Sequence, residues 1–425
     1  MLKFLSQESI MGHIKTIYKE AYTFIKWLLI AALLGGIGGV VGSLFHMAVD
    51  IATETREANG FLIWLLPLGG LVIVFFYRVA HATKGVDTNR VIEAADTDNK
   101  SIPFIMAPLI FVSTVITHFF GGSAGREGAA LQIGGSIGYI FGKVFRLDKN
   151  DMHIIVMAGM SALFAALFGT PVTATIFAIE VISVGVMHYA GLVPCIMASF
   201  VASFIARLFG LSPVKFEGVP APDISMSVML KSLLLALLCA FVSIAFCLAL
   251  EKTEHLFKKL FKNPYLRIAV GGSVIALITM LVGTHDYNGA GMDVISAALA
   301  GEARWEAFAL KIVFTALTVA AGFKGGEIVP TFFIGSTFGC VMGEALGLDA
   351  AFGAAIGFIA LFCSVVNCPL AALVLSVEVF GGESFLIFAI VSCVSYMMSG
   401  YTGLYRSQRI VYSKFGERYI NIHTK

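Results

Sequence analysis

The chain runs to 425 residues, 58% of them hydrophobic and 13% charged, with a mean hydropathy of +0.88 and a formal net charge of +2. That balance excludes an ordinary soluble domain and defines a polytopic membrane protein. The charges collect at the ends and in connecting stretches instead of on one basic face, so lipid is an expected partner and nucleic acid is not.

Residues 1–26 read as a basic amphipathic leader carrying Lys3, Lys15, Lys19 and Lys26, held on the cytoplasmic side and laid along the membrane surface as a short helix. The first apolar run is too long for a signal peptide and lacks a small-residue cleavage pattern. Residues 27–48 are long enough to span, and Gly35, Gly36, Gly38, Gly39 and Gly42 suit close packing inside a bundle. A second span is expected over 61–79. A hydrophilic stretch follows, and the chain re-enters the bilayer at 103–120.

Residues 121–138, GGSAGREGAALQIGGSIG, then place an arginine and a glutamate between two long apolar runs. Ionisable groups at membrane depth are costly and mark a path for ions, which makes Glu127 the residue to explain. Three readings compete. In one, Gly121 to Gly125 is a surface loop and Glu127 a solvated helix cap. In another, Gly121, Ser123 and Gly125 form the G-x-S-x-G pattern of serine hydrolases, with His118 close in sequence. That pattern needs a strand before its turn, whereas the preceding VSTVITHFF reads as a membrane helix. In the third, the glycines open the backbone so that N–H groups at the start of a helix over 127–145 face an anion, and Glu127 is a tethered anion able to take the same place.

Beyond this stretch, residues 152–168 are apolar, Gly169, Thr170 and Pro171 interrupt, and a short apolar segment ends at Glu180. Spans follow near 189–209 and 228–250, separated by an external loop holding Pro213, Pro220 and Pro222. A first repeat region is thus expected over 27–251, a charged cytoplasmic connector over 252–266, a second repeat region over 267–399 and a basic cytoplasmic segment over 400–425. The seven cysteines lie mostly in apolar runs without a C-x-x-C pair, so neither a metal site nor a disulfide framework is implied, and no cofactor is expected.

The two halves echo one another. GTPVTATIFAIE and NCPLAALVLSVE set Pro171 and Glu180, then Pro369 and Glu378, at the same spacing, with Gly159 and Gly357 at equal distances upstream. Glu127 is matched by Glu327, and Gly85 by Gly289. Duplicated halves with Gly- or Pro-broken apolar pieces imply a binding site at mid-membrane where helix ends converge. Segments such as 171–181 and 369–380 are too short to cross unaided and survive in lipid only when buried or lining a cavity. The expected fold is therefore all-α, with broken and short helices aimed at a shared centre.

GSAGREG, GGEIVP and the matching repeat resemble the CLC family of anion channels and proton-coupled anion antiporters, over roughly residues 27–405. The resemblance implies a homodimer with a pore in each subunit between two inverted repeats, Glu127 as the gating and proton-carrying glutamate, and Tyr405 lining the central anion site. Departures from the family pattern point within it. Gly85, Val86, Asp87, Thr88 and Asn89 stand where G-S-G-I-P is usual, Glu327, Ile328 and Val329 lie in a motif without its phenylalanine, and Val181 follows Glu180 where a second glutamate is frequent. A lost serine, a lost inner glutamate and an added Glu327 resemble the fluoride/proton branch; a chloride/proton antiporter or a passive chloride channel is the alternative.

The expected mechanism seats a dehydrated fluoride among N–H groups near Thr88, Asn89, Gly125, Gly128, Ile328 and Val329, with Glu127 alternating between the ion's place and a protonated position aside. Glu327 is either a second proton site or a capping carboxylate. Arg126 is expected to be a structural partner of a carboxylate or carbonyl, Asn89 a donor or the cap of its helix, Glu180 and Glu378 structural carboxylates on the cytoplasmic side, and Lys311 a snorkelling or acid-paired cation.

Overall fold

A computed structural model describes residues 7–82, 87–97 and 100–424, with side chains from His13 onward. No proline, and no glycine after Gly12, stands between the leader and the first span. Nothing there ends a helix, and α1 (Gln7–Ala58) runs unbroken for 52 residues. The leader is thus the first part of the spanning helix and not a separate surface helix; its first six residues lie outside the described part.

A tight turn, Gly60–Leu65, leads into α2 (Leu66–Val79). The first half continues through α3 (Thr88–Asp96), α4 (Met106–Phe120), α5 (Glu127–Val144), α6 (Lys149–Phe168), α7 (Pro171–Glu180) and α8 (Leu192–Leu208). α9 (Met226–Leu260) absorbs most of the expected charged connector, so residues 261–263 alone separate it from α10 (Pro264–Val282). The second half then holds α11 (Met292–Leu299), α12 (Ala307–Ala321), α13 (Ile328–Ala345), α14 (Ala350–Val366), α15 (Pro369–Phe380) and α16 (Phe385–Met398). Among the described residues, seven helical stretches are long and apolar enough to cross a membrane.

Glycine sets how closely the central helices approach. α1 packs on α8 through Gly35 and Gly39 and on α6 through Gly38 and Gly42; a Cβ on Gly39 would come within 2.9 Å of the Ala202 carbonyl oxygen. α5 meets α6 at Gly134 and Gly159, and α13 meets α14 at Gly335 and Gly357, where an added Cβ would strike the facing carbonyl. Contacts this close leave α6 and α14 as the centre of the core, every residue of 155–168 and 351–366 being buried.

The two short helices answer each other. Glu180, ending α7, accepts from the N–H groups of Leu370 (3.1 Å) and Ala371 (2.8 Å) at the start of α15. Glu378, near the end of α15, accepts from Val172 (3.1 Å) and Thr173 (2.8 Å) at the start of α7. Each carboxylate meets unpaired N–H donors and the positive end of the opposing helix. Because the helices run antiparallel, the two glutamates sit at opposite ends of the pair, which corrects the expectation that both face the cytoplasm.

Lys311 also departs from expectation. It neither snorkels nor meets an acid: fully buried in α12, it donates to the carbonyls of Gly289 (2.8 Å) and Tyr287 (3.2 Å), with the Phe333 ring 4.8 Å away. Gly85, the sequence match of Gly289, lies outside the described residues, as does Val86.

A small sheet adds to the helical architecture. β1 (Ser183–Val184) pairs in parallel with β2 (Arg409–Tyr412), which pairs antiparallel with β3 (Tyr419–His423). The sheet ties the C-terminal segment to the end of α7. Gln408 strengthens that tie by donating to the carbonyls of Val181 and Val366, each at 2.9 Å. Six of the seven cysteines are buried, and Cys393 is exposed.

Candidate functional site

The two glutamate motifs meet head to head. Gly125 donates to the Gly326 carbonyl (2.7 Å) and Gly326 donates back to Gly125 (2.6 Å), a single antiparallel bridge between the loops that start α5 and α13. Approach at this range excludes side chains, since a Cβ on Gly125 would lie 2.8 Å from Val329 Cβ and one on Gly128 2.8 Å from Gly326 Cα. The bridge corrects one expectation: the Gly125 N–H belongs to Gly326 and is not a donor to an ion.

The first turns of α5 and α13 carry N–H groups without a helical partner. The first helical hydrogen bond of α5 is donated by Ala130 to the Arg126 carbonyl, and the first of α13 by Thr331 to the Glu327 carbonyl. Earlier N–H groups in each helix, including Gly128 in one and Ile328 and Val329 in the other, have no partner within the helix. α3 begins at Thr88, so three helix starts lie where they were expected.

Glu127 is 2% exposed. Its carboxylate folds back over its own helix start, Oε2 accepting from the Arg126 N–H at 3.1 Å, which removes the solvated-cap reading. Arg126 turns outward: Nη1 donates to Asp50 Oδ1 at 2.5 Å while Nε stays 3.8 Å from Glu127 Oε1. Asp50 in turn accepts from His46 on the same helix at 3.0 Å, so a chain of charge ties the α5 start to the outer part of α1. Arg126 thus has the carboxylate partner its type called for.

A cavity of about 570 Å³ is lined by Thr88, Gln132, Glu254, Lys258, Glu327 and Tyr405 among others. Glu327 is partly exposed to this space, in contrast to its sealed counterpart. Tyr405 is 2% exposed and its hydroxyl has no partner. The C-terminal segment positions it, because the Tyr405 carbonyl accepts from Thr424 Oγ1 at 2.6 Å and from the Gln408 N–H at 2.9 Å. Asn89 lines the same wall, but its carboxamide oxygen accepts from the N–H and hydroxyl of Ser407, both at 3.0 Å. It is not the cap of α3 either; Asp87 is, accepting from the Arg90 N–H at 3.0 Å.

No Ser–His pair forms. Ser123 Oγ shares a hydrogen bond with Thr315 Oγ1 at 3.0 Å, and His118 Nδ1 bonds the Thr114 carbonyl at 2.9 Å. Asp50, Ser407 and Gln132 also hold the site together, and none of them stands out as a site residue in the sequence. Of these, only Gln132 carried a local signal, as the one carboxamide within an otherwise apolar turn of α5; the other two act across large gaps in sequence.

Broken helices from two related halves, meeting at a glycine bridge beside a buried carboxylate, with a polar cavity lined by the matching glutamate, define a membrane protein built to handle a small ion. The chain belongs to the voltage gated chloride channel family, whose family model matches residues 68–400. It is 34% identical over 399 residues to a chloride/fluoride channel protein of Pseudomonas syringae pv. tomato, covering 92% of this chain and 87% of that one. It is also 22% identical over 405 residues to the H(+)/Cl(-) exchange transporter ClcA of Vibrio parahaemolyticus, covering 86% and 85%. The fold is similar to that of a crystal structure of a CLC-type fluoride/proton antiporter, with a TM-score of 0.88, 32% identity and coverage of 91% of this chain and 98% of that one. A slow cyanobacterial Cl-/H+ antiporter shares the fold at a TM-score of 0.75 with 20% identity, covering 88% and 94%.

Proposed function

We propose that the protein is a proton-coupled halide antiporter that expels fluoride in exchange for protons, with Glu127 as both gate and proton carrier. The observation that carries this reading is the Glu127 carboxylate lying back on the N–H groups of its own helix start, at the bridge between the two halves. A carboxylate there takes the seat an anion would take, so the two exclude one another. Protonation removes its charge, frees the donors and lets the side chain leave, which couples anion entry to proton uptake. The N–H groups of Gly128, Ile328 and Val329, which have no partner within their helices, and the unpaired Tyr405 hydroxyl are the donors proposed for the ion; Thr88 adds a hydroxyl. Fixed donors of this kind replace the hydration shell of a small, strongly hydrated anion without reorganising. Glu327, on the cavity wall, is proposed as the second proton station.

A chloride transporter or passive channel is the second reading, favoured by the exchangers that share the chain's length and fold. Proteoliposomes loaded with fluoride or chloride separate the three when anion efflux and proton uptake are recorded together. The antiport reading expects fluoride-driven proton uptake that drops about 100-fold in Glu127→Gln, the scale of losing one positioned acid–base group. Anion efflux without protons would make it a channel, and stronger chloride-driven uptake would reassign the ion. The working unit is proposed to be a homodimer in the cell membrane, with both termini cytoplasmic.

A further inference from the structure

We propose that Gln132 is a positioning residue for the transported proton: its side-chain carbonyl receives the proton-loaded carboxyl of Glu327 and has no hydrogen bond to accept when that carboxyl is ionised. This rests on the antiport reading and adds to it the group that distinguishes the loaded from the empty station.

Gln132 is 6% exposed and lines the cavity. Its Nε2 donates to Thr88 Oγ1 at 3.0 Å, and its Oε1 is buried with no partner. A buried carbonyl oxygen calls for a donor, and an anion offers none. Oε1 therefore marks the proton's side of the cavity, as the unpaired Tyr405 hydroxyl marks the anion's. Position along the helix supplies the candidate donor. Glu327 Oε2 lies 3.5 Å from where a Cβ on Gly128 would stand, and Gln132 is four residues further along the same face of α5. Helical side chains lean toward the N-terminus of their helix, so Gln132 leans toward Gly128 and the carboxyl seated on it.

The charged groups acting on Glu327 are Lys324 from the loop before α13, Asp87 from the start of α3 and Glu254 from α9. Lys324 stabilises the ionised carboxylate. Gln132 opposes it, since two acceptors then face each other, and it accepts a hydrogen bond once the proton arrives. The matching place in the second half, five residues after Glu327, holds Phe332, so only one half carries this arrangement.

The test reconstitutes wild type, Gln132→Leu and Gln132→Glu and records fluoride efflux and proton uptake in parallel between pH 5 and 8. Gln132→Leu is expected to lower protons moved per fluoride about tenfold, the scale of one hydrogen bond lost between charged and neutral forms. Gln132→Glu is expected to regain coupling toward acid pH, where its own carboxyl is neutral and again offers a carbonyl. An unchanged fluoride-to-proton ratio and pH profile in Gln132→Leu overturns the proposal whether or not the overall rate falls. A raised half-saturating fluoride at constant ratio overturns it in favour of an anion ligand acting through Nε2. If Gln132→Leu does not give monodisperse protein, the pH profile of Gln132→Glu carries the test, and coupling unaffected at every pH overturns it. Wild type that moves fluoride without protons defeats the antiport reading itself, and that result is visible before any variant is compared.

Discussion

The two halves of the molecule carry matched motifs that finish in different surroundings, and the contrast separates a symmetric pair of carboxylates from an asymmetric one. Glu180 and Glu378 remain symmetric: each accepts two N–H groups from the start of the other's helix, at 3.1 and 2.8 Å. Glu127 and Glu327 do not. One is sealed against its own helix start and braced by an arginine that reaches Asp50; the other opens onto a polar cavity. Symmetry persists where each carboxylate caps a helix start and is lost where one glutamate is sealed and its match lines a cavity.

If the cap pair is structural, its members respond alike. Glu180→Ala and Glu378→Ala each leave two N–H groups at a helix start without an acceptor and are expected to cost about 2 kcal/mol of stability apiece. Thermal unfolding in detergent measures both, and a large cost in one with none in the other would break the symmetry. The second pair should respond unequally. Glu327→Gln is expected to slow proton uptake about tenfold, an effect near 1.4 kcal/mol, while leaving anion efflux in place. That is a smaller loss than Glu127→Gln produces, and equal losses would erase the distinction between gate and relay. The smallest effect concerns a third pair of elements. α3 starts with the Asp87 cap, whereas α11 starts after Gly291 with no side-chain cap, so Asp87→Ala should cost about 1 kcal/mol, read as faster amide exchange in α3 alone.

Much of this was visible before any coordinates. Apolar runs placed α5 and α8 to within a few residues, because burial in lipid demands long apolar runs, but stopped short of the polar ends of α1 and α9. Spacing alone brought Glu127 and Glu327 into one site, since a duplicated chain with broken helices converges at its centre. Asn89 reads as a cap of α3 because it is as good a capping type as Asp87, two residues earlier, and only the turn geometry chooses between them. Lys311 was misread because a lone cation in an apolar run gives no hint that two carbonyls await it. The sheet was missed because β1 is two residues long, and its partners come from the far end of the chain.

Composition and repeat spacing by themselves determined that the chain is a membrane protein with two matched halves, and they set Glu127 against Glu327. Tertiary structure alone decided which glutamate is sealed and which faces the cavity, which N–H groups stay free, and that Gly125 gives its own away. The reason is that a sequence encodes local preferences along one dimension. Whether a buried polar group finds a partner depends on residues hundreds of positions distant arriving within three ångströms.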